Sequence, residues 1–166
     1  MTITAPPYPS HFESDVVLRN GRTLRLRPVR IEDHDAMLAF FRKLSGDSLH
    51  SRFFDARTPE SALRDTPLDV DYENDFGVVG EEAGEIIAVA HYFRSRRNTK
   101  VAEVAFTIAD RAQGRGIGTR LLEKLADVAR TKKIETFFAD VLPENRPMLD
   151  VFLYSGFNVK IGRAHV

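Results

Sequence analysis

Two features of this sequence have residue types and spacings suited to chemistry. One is a glycine-rich turn, Gln113-Gly114-Arg115-Gly116-Ile117-Gly118-Thr119; the other is a lone carboxylate, Glu103, ten residues before it. Three glycines in five positions let successive backbone N–H groups converge without β-carbons in the way. Where a helix starts from such a turn, its positive end reinforces those donors, and phosphate is the natural ligand. No Lys-Ser or Lys-Thr pair follows the glycines, and the spacing is Gly-x-Gly-x-Gly, so neither the lysine-bearing phosphate loop nor the dinucleotide fingerprint is met. On the glycines alone, a phosphate site and a plain tight turn fit equally. Glu103 is flanked by Val101, Ala102, Val104 and Ala105, and a charge in an apolar strand needs either a partner or a cleft. An ion pair with Arg94 or Arg96 and service as a proton acceptor both satisfy that need.

The elements that must position these residues are legible around them. Val101 to Ile108 is short, apolar and β-prone, which predicts a strand. Ile117, Leu121, Leu122, Leu125, Val128 and Ala129 recur at helical spacing, which predicts a helix opening at the glycines. Upstream, Asn20-Gly21 between Val16–Arg19 and Arg22–Arg27 is a two-residue hairpin signal, with Arg25 and Arg27 on the solvated face. Helices are expected over Ile31 to Leu44 and Ser48 to Phe54, and an irregular stretch over Arg57 to Asp71. Phe76–Gly80 and Glu85–Phe93 read as strands about a turn at Glu82-Ala83-Gly84, Thr136–Leu142 as another, and Met148 to Ser155 as a last helix before Gly156-Phe157. A final strand follows. Hairpins succeeded by strand-helix-strand-helix imply a mixed α/β sheet with helices on its faces.

Bulk composition narrows the classes. A chain of 166 residues suits one domain with a real core, here 15–166 after a proline-bearing, flexible lead-in over 1–14. Twenty-four basic residues balance 24 acidic ones, so there is no net electrostatic footprint for nucleic acid. Without cysteine there is no disulfide, thiol nucleophile or cysteine metal site, and His11, His34, His50, His91 and His165 show no metal-ligand spacing. No apolar run approaches the ~18–20 residues that span a bilayer, and no signal pattern opens the chain. A cytoplasmic protein without metal, nucleic-acid or membrane partners is expected.

The motif Gln113-Gly114-Arg115-Gly116-Ile117-Gly118, after a strand and opening an apolar-striped helix, resembles the acetyl-CoA diphosphate loop of the GNAT acyltransferase superfamily. The likeness extends from about Val16 to Phe157. Within it, Leu26-Arg27-Pro28-Val29-Arg30, Glu32-Asp33, Arg52-Phe53-Phe54, Asp71-Tyr72, Ala102–Phe106 and Asn145-Arg146-Pro147-Met148 are similar to the bacterial protein-lysine acetyltransferases of the Pat type. Those enzymes are often fused to a cyclic-nucleotide-binding domain or an acyl-CoA synthetase-like region, so the resemblance implies a catalytic module, alone or cut from a longer protein. Its last strand is expected to be truncated.

The resemblance implies a GNAT fold, a mixed and mostly antiparallel sheet splayed at the acetyl-CoA site. It implies direct acetyl transfer from acetyl-CoA to a lysine amine of a protein, such as an acyl-CoA synthetase, with Glu103 as general base. Acetylation of a small amine, and a non-catalytic acyl-CoA sensor, are the alternatives. The backbone of Gln113, Gly114, Arg115, Gly116, Ile117, Gly118 and Thr119 would hold the diphosphate, with Arg115 or Arg120 adding charge. Phe106, Thr107 and Ile108 would pair with the pantetheine arm, and Asn145 would bond it or simply begin a helix. One departure stands out: the position where many of these enzymes carry a thiolate-protonating tyrosine is Phe152, with Tyr154 two residues further round the helix.

Overall fold

The computed structural model describes residues 6–44, 58–140, 146–153 and 159–162. β-prone runs, alternating in β2 and apolar through the middle of β3 and most of β4, fold into an antiparallel series: β1 (Ser14–Val17), β2 (Thr23–Pro28), β3 (Asp75–Glu82), β4 (Glu85–Arg94) and β5 (Val101–Ile108). β6 (Thr136–Asp140) and β7 (Val159–Gly162) extend the sheet in chain order, and both join it in parallel. The parallel joins require crossovers. Helix α3 (Ile117–Thr131) supplies the first and α4 (Arg146–Leu153) lies in the second, while α1 (His34–Arg42) and α2 (Pro59–Arg64) occupy the β2–β3 connection. The mixed, mostly antiparallel sheet expected from sequence is therefore observed.

Strand pairing sorts residues onto two faces. Phe76, Tyr92, Ala102, Val104, Phe106 and Phe137 share one face, where Tyr92 stacks against Phe76 at 5.8 Å and Phe137 at 6.3 Å between ring centroids. The apolar stripe of α3 (Ile117, Leu121, Leu122, Leu125, Val128, Ala129) is buried in the same core. Phe152 of α4 meets Phe106 edge-on at 5.4 Å. The other face carries Asp75, His91, Phe93, Glu103 and Phe138; the chain beyond α2 crosses it, with Pro67 O 2.8 Å from the His91 ring nitrogen. Among the described residues no helix is long and apolar enough to cross a membrane.

Four expectations change. The first hairpin turns through three residues: Leu18 N–H donates to Arg22 O at 2.8 Å and Gly21 N–H to Leu18 O at 2.9 Å, with Gly21 at φ 81°. A tight turn ending in a left-handed glycine is the usual three-residue hairpin, and it moves Arg19 out of the strand into the turn. Arg27 is not solvated: it is 7% exposed, with Asp33 clamping its guanidinium at 2.6 and 2.9 Å and Glu81 holding its Nε. The irregular stretch after residue 57 contains α2, started by a reciprocal Thr58–Ser61 cap with Pro59 in the first turn. Lastly, the expected lead-in is packed from Tyr8 onward. The Tyr8 hydroxyl donates to Pro28 O at 3.2 Å, its ring meets Tyr72 edge-on, and the Arg30 guanidinium lies 5.5 Å above it. The helix expected over Ser48 to Phe54 lies outside the described residues, as do Asn145, Tyr154 and the Gly156-Phe157 stop.

Candidate acyl-transfer site

β5 is where the sheet opens. Its pairing with β6 runs Val101↔Thr136, Ala102↔Phe137, Glu103↔Phe138 and then stops, although β5 continues to Ile108 and β6 to Asp140. Along the same length β5 stays paired with β4 as far as Ile108. The two parallel strands thus part immediately after Glu103. Antiparallel pairing alternates which residues turn their backbone toward a given neighbour. Ala109 N–H donates to Ile87 O and Ser95 N–H to Val101 O, both at 2.8 Å, so odd-numbered residues of β5 face β4. Val104, Phe106 and Ile108 consequently turn their N–H and C=O groups into the gap. Thr107, expected to share in binding the pantetheine arm, turns its backbone to Val89 instead.

The glycine turn lies at the far end of that gap. A short 3-10 turn over Asp110–Ala112 follows β5, and α3 begins at Ile117 with Gly116 as its N-cap at φ 80°. Gly114 has φ 81°, so two residues of the turn take the left-handed conformation that glycine adopts without a steric penalty. Among the described residues, no backbone carbonyl accepts from the N–H groups of Gly114, Arg115, Gly116, Ile117, Gly118 or Thr119; the ladder starts with Arg120 N–H to Gly116 O at 3.3 Å. Gln113 N–H reaches Asp110 O only at 3.4 Å, and its side-chain amide reaches Ile108 O at the same length. Such a run of open donors at a helix start is chemically suited to an anion.

Gly118 serves packing: a β-carbon there would sit 3.1 Å from Val151 and 3.3 Å from Ile108, so the glycine lets α3 approach α4 and β5. The two arginines proposed to add charge have other partners. Arg115 binds Glu82 at 2.7 Å, in a pair that also takes Arg22 at 3.2 Å, and Arg120 pairs with Glu123 on its own helix. A different cation reaches the turn. A β-carbon on Gly116 would lie 3.5 Å from Nε and 3.8 Å from Cζ of Arg19, so the guanidinium in the first hairpin turn rests against the N-cap of α3.

Glu103 stands at the mouth of the fork. It is exposed, whereas Ala102 and Val104 on either side point to the opposite face and are buried. That alternation explains how a charge tolerates apolar neighbours in sequence. Phe93 and Phe138 flank it across the sheet. Arg94, one partner suggested for it, is in register with Ala102 and so belongs to the other face, where it donates to Thr99 O at 2.8 Å and Glu73 O at 3.3 Å. A second carboxylate lies in the same row: Asp75, one strand beyond Phe93. Burial and the neighbouring Asp71 charge raise its carboxyl above the usual range, and Arg96 opposes them. Sequence gave no sign of this pairing, because register alone brings Asp75 and Glu103 into one row.

The described tyrosines have their hydroxyls engaged elsewhere: Tyr8 donates to Pro28 O and Tyr72 to Val29 O. Tyr92 is locked in the aromatic stack with its hydroxyl on Glu73 O, and burial raises its phenol well above the usual range. A cavity of about 490 Å³ lies between Tyr8, Arg30, Glu32, Asp69 and Tyr72, and none of the predicted site residues lines it. No group of acidic or histidine side chains that could hold a metal occurs among the described residues.

Comparison with known proteins agrees with this geometry. Residues 31–157 match the model of the acetyltransferase (GNAT) family. Acetyltransferase Pat of Mycolicibacterium smegmatis is 38% identical over 135 residues, covering 80% of this chain but 40% of that protein, so the chain spans well under half of this relative. Acetyltransferase PA5475 of Pseudomonas aeruginosa is 32% identical over 145 residues, covering 84% of this chain and 77% of that protein. The crystal structure of the GNAT domain of S. lividans PAT superposes with a TM-score of 0.83 at 37% identity, covering 90% of both chains. With its sheet forked after Glu103, a donor-rich glycine turn at the head of α3, and a family match across most of its length, the chain belongs to the GNAT family of acetyltransferases.

Proposed function

We propose that this domain transfers an acetyl group from acetyl-CoA directly to a lysine amine of a protein acceptor in the cytoplasm, with Glu103 as general base. The observation that carries the reading is the placement of an exposed carboxylate at the last paired position before β5 and β6 part. A pantetheine arm laid along β5 would meet the N–H and C=O groups of Phe106 and Ile108 as an added strand does. The open N–H groups from Gly114 to Thr119 would hold the diphosphate, with Asn145 as a further contact to the arm. Lysine is mostly protonated at neutral pH, about one neutral side chain in a few thousand. Glu103 would first accept the ammonium proton, directly or through water, and the neutral nitrogen would then attack the thioester carbon. As the C–S bond breaks, CoA leaves as thiolate, the amide forms, and the second N–H proton passes to solvent. A backbone N–H in the gap would steady the charge on the carbonyl oxygen.

The lysine acceptor, an acyl-CoA synthetase or another protein, rests on the Pat-type likeness. Control by a domain beyond this stretch belongs to the same proposal. One observation favours a second reading: Phe152 is buried against Phe106 and has no proton to give the departing thiolate, as an acyl-CoA sensor without turnover would allow.

Glu103→Gln separates the two. Glutamine keeps the shape of glutamate but cannot hold the proton. Acetyl-CoA affinity should stay near that of the parent, while acetylation of a lysine peptide falls ~10²–10⁴-fold and recovers partly at high pH, where more lysine is neutral. Unchanged turnover with an unchanged pH profile would remove Glu103 from the mechanism. A parent that binds acetyl-CoA and releases no CoA with any amine would be a sensor.

A further inference from the structure

Of the two loop cations predicted from sequence, Arg120 pairs with Glu123, and Arg115 binds Glu82, a carboxylate it shares with Arg22. Arg19 is in the opposite position. It is exposed, has no carboxylate partner among the described residues, and packs its Nε, Cζ and Nη2 within 4.0 Å of where a Gly116 β-carbon would be. Gly116 caps a helix whose N-terminus carries roughly half a positive charge, beside six N–H groups that no described carbonyl accepts. A guanidinium resting on a positive pole with no counter-charge is unfavourable by itself. An anion shared between the guanidinium and the N–H groups attracts both, and those attractions outweigh their mutual repulsion.

The hairpin sets the backbone from which Arg19 reaches the turn. The Leu18–Arg22 and Gly21–Leu18 backbone bonds close the turn, Asn20 Oδ1 accepts from Arg22 N–H at 3.0 Å, and Gly21 supplies the left-handed residue. The backbone of Arg19 is thereby set at the turn, and its guanidinium lies against the head of α3.

We infer that Arg19 is a ligand of the CoA diphosphate, clamping it against the N–H groups of the glycine turn from the first hairpin. The guanidinium is planar and presents paired donors, which suits two phosphate oxygens better than a point charge does. The inference rests on the reading of the Gln113–Thr119 turn as the CoA loop. It adds a residue far away in sequence, and it makes the β1–β2 hairpin part of the nucleotide site.

The test is calorimetric titration of the full chain with CoA and with 3′-dephospho-CoA, which keeps the diphosphate but lacks the 3′-phosphate. Arg19→Gln should weaken both ligands alike, by ~10–100-fold, the worth of a charge-assisted hydrogen bond. Arg19→Lys should recover part of that loss, and the salt dependence of CoA affinity should flatten in Arg19→Gln. Unchanged CoA affinity in Arg19→Gln overturns the inference, and so does a loss confined to CoA, which would place Arg19 on the 3′-phosphate. Gly116→Val tests the loop separately, since a branched residue at φ 80° both strains the turn and fills the approach. If Gly116→Val, folded by circular dichroism, binds CoA like the parent, the loop reading falls. If Gly116→Val loses binding and Arg19→Gln does not, only the arginine assignment falls.

Discussion

Arg19 and Arg27 lie eight residues apart in one hairpin, and the fold treats them in opposite ways. Arg27 is buried with two carboxylates on it: Asp33 grips both terminal nitrogens and Glu81 takes Nε. Burial alone would lower the pKa of its guanidinium, but the bonds from Asp33 and Glu81 outweigh it and the net shift is upward. Asp33 in turn accepts the Arg30 N–H at 2.9 Å, tying the end of β2 to the turn before α1. Arg19 is exposed, lacks a carboxylate among the described residues, and rests against other positive groups. A cation whose charge is answered inside the molecule serves the fold. One whose surroundings repeat its own sign is arranged for something from outside. A related contrast appears within the glycine turn, where Arg115 has a carboxylate partner in Glu82 and the N–H groups have no described acceptor.

The largest effect that can break this comparison is on stability. Asp33→Ala leaves the Arg27 guanidinium buried with half its partners gone, and removing one member of a buried pair costs about 3–5 kcal/mol. Chemical denaturation of Asp33→Ala should therefore show a loss of that size, while Arg19→Ala should move stability by less than about 0.5 kcal/mol, as an exposed substitution away from structural contacts does. A stability loss in Arg19→Ala equal to that in Asp33→Ala would make both arginines structural and erase the distinction.

An intermediate effect separates the glycines in the same way. Gly118→Val should cost ~1–3 kcal/mol through overpacking, because its side chain enters contacts already at 3.1 and 3.3 Å with Val151 and Ile108. Gly114 has open space where a β-carbon would sit, so Gly114→Ala bears only the backbone penalty of its positive φ, roughly 1–2 kcal/mol. Melting curves of the two variants, with and without acetyl-CoA, resolve packing from binding: a glycine that only packs changes stability and leaves the ligand-induced rise in Tm intact.

Much of this was legible in the sequence, for physical reasons that differ by region. The strand-turn-helix about Gln113 was plain because glycine spacing and the Leu121-Leu122-Leu125 stripe report local geometry directly. Glu103 could be singled out, but only strand parity shows that Arg94, one of the two partners considered for it, lies on the opposite face. Arg27 was misassigned because alternation reports which face a residue takes and not what covers that face; a fold-back of Asp33 and the neighbouring Glu81 bury it. The hairpin was found but closed one residue too tightly, since Asn-Gly suits both two-residue and three-residue turns. That single residue decides whether Arg19 is a strand side chain or a turn residue over the α3 cap. Thr107 shows the same limit, because only the pairing register says which backbone groups of a strand are spent.

The smallest effect carries the comparison over to acids. Asp71 and Asp75 are four residues apart, and Asp71 is the answered member: burial raises its carboxyl, but the N–H groups of Asp75, Glu73 and Asn74 and the Asn74 amide outweigh that and bring it below its ordinary value. Asp75 is pushed the other way, first by burial and then by the Asp71 charge. The signs follow from which state holds the proton more tightly. A lowered folded pKa gives Asp71 a stabilising charge above its unfolded value near ~3.9, lost as pH falls through the folded value. A raised folded pKa makes the Asp75 charge a destabilising one above that folded value, and acid relieves it. Asparagine keeps the shape and an acceptor oxygen at both positions. Asp71→Asn should lower Tm at pH 7 and converge on the parent in acid; Asp75→Asn should raise Tm at pH 7 and converge likewise. Each effect should stay under ~1 kcal/mol, because both carboxylates are partly solvated. Part of the Asp75 strain is the Asp71 charge itself, so the gain from Asp75→Asn should shrink in an Asp71→Asn background, and the two changes should not add. Tm measured from pH 3 to 8 on the four proteins checks this, and equal, additive shifts of the same sign would show that these carboxylates do not differ in how their charges are met.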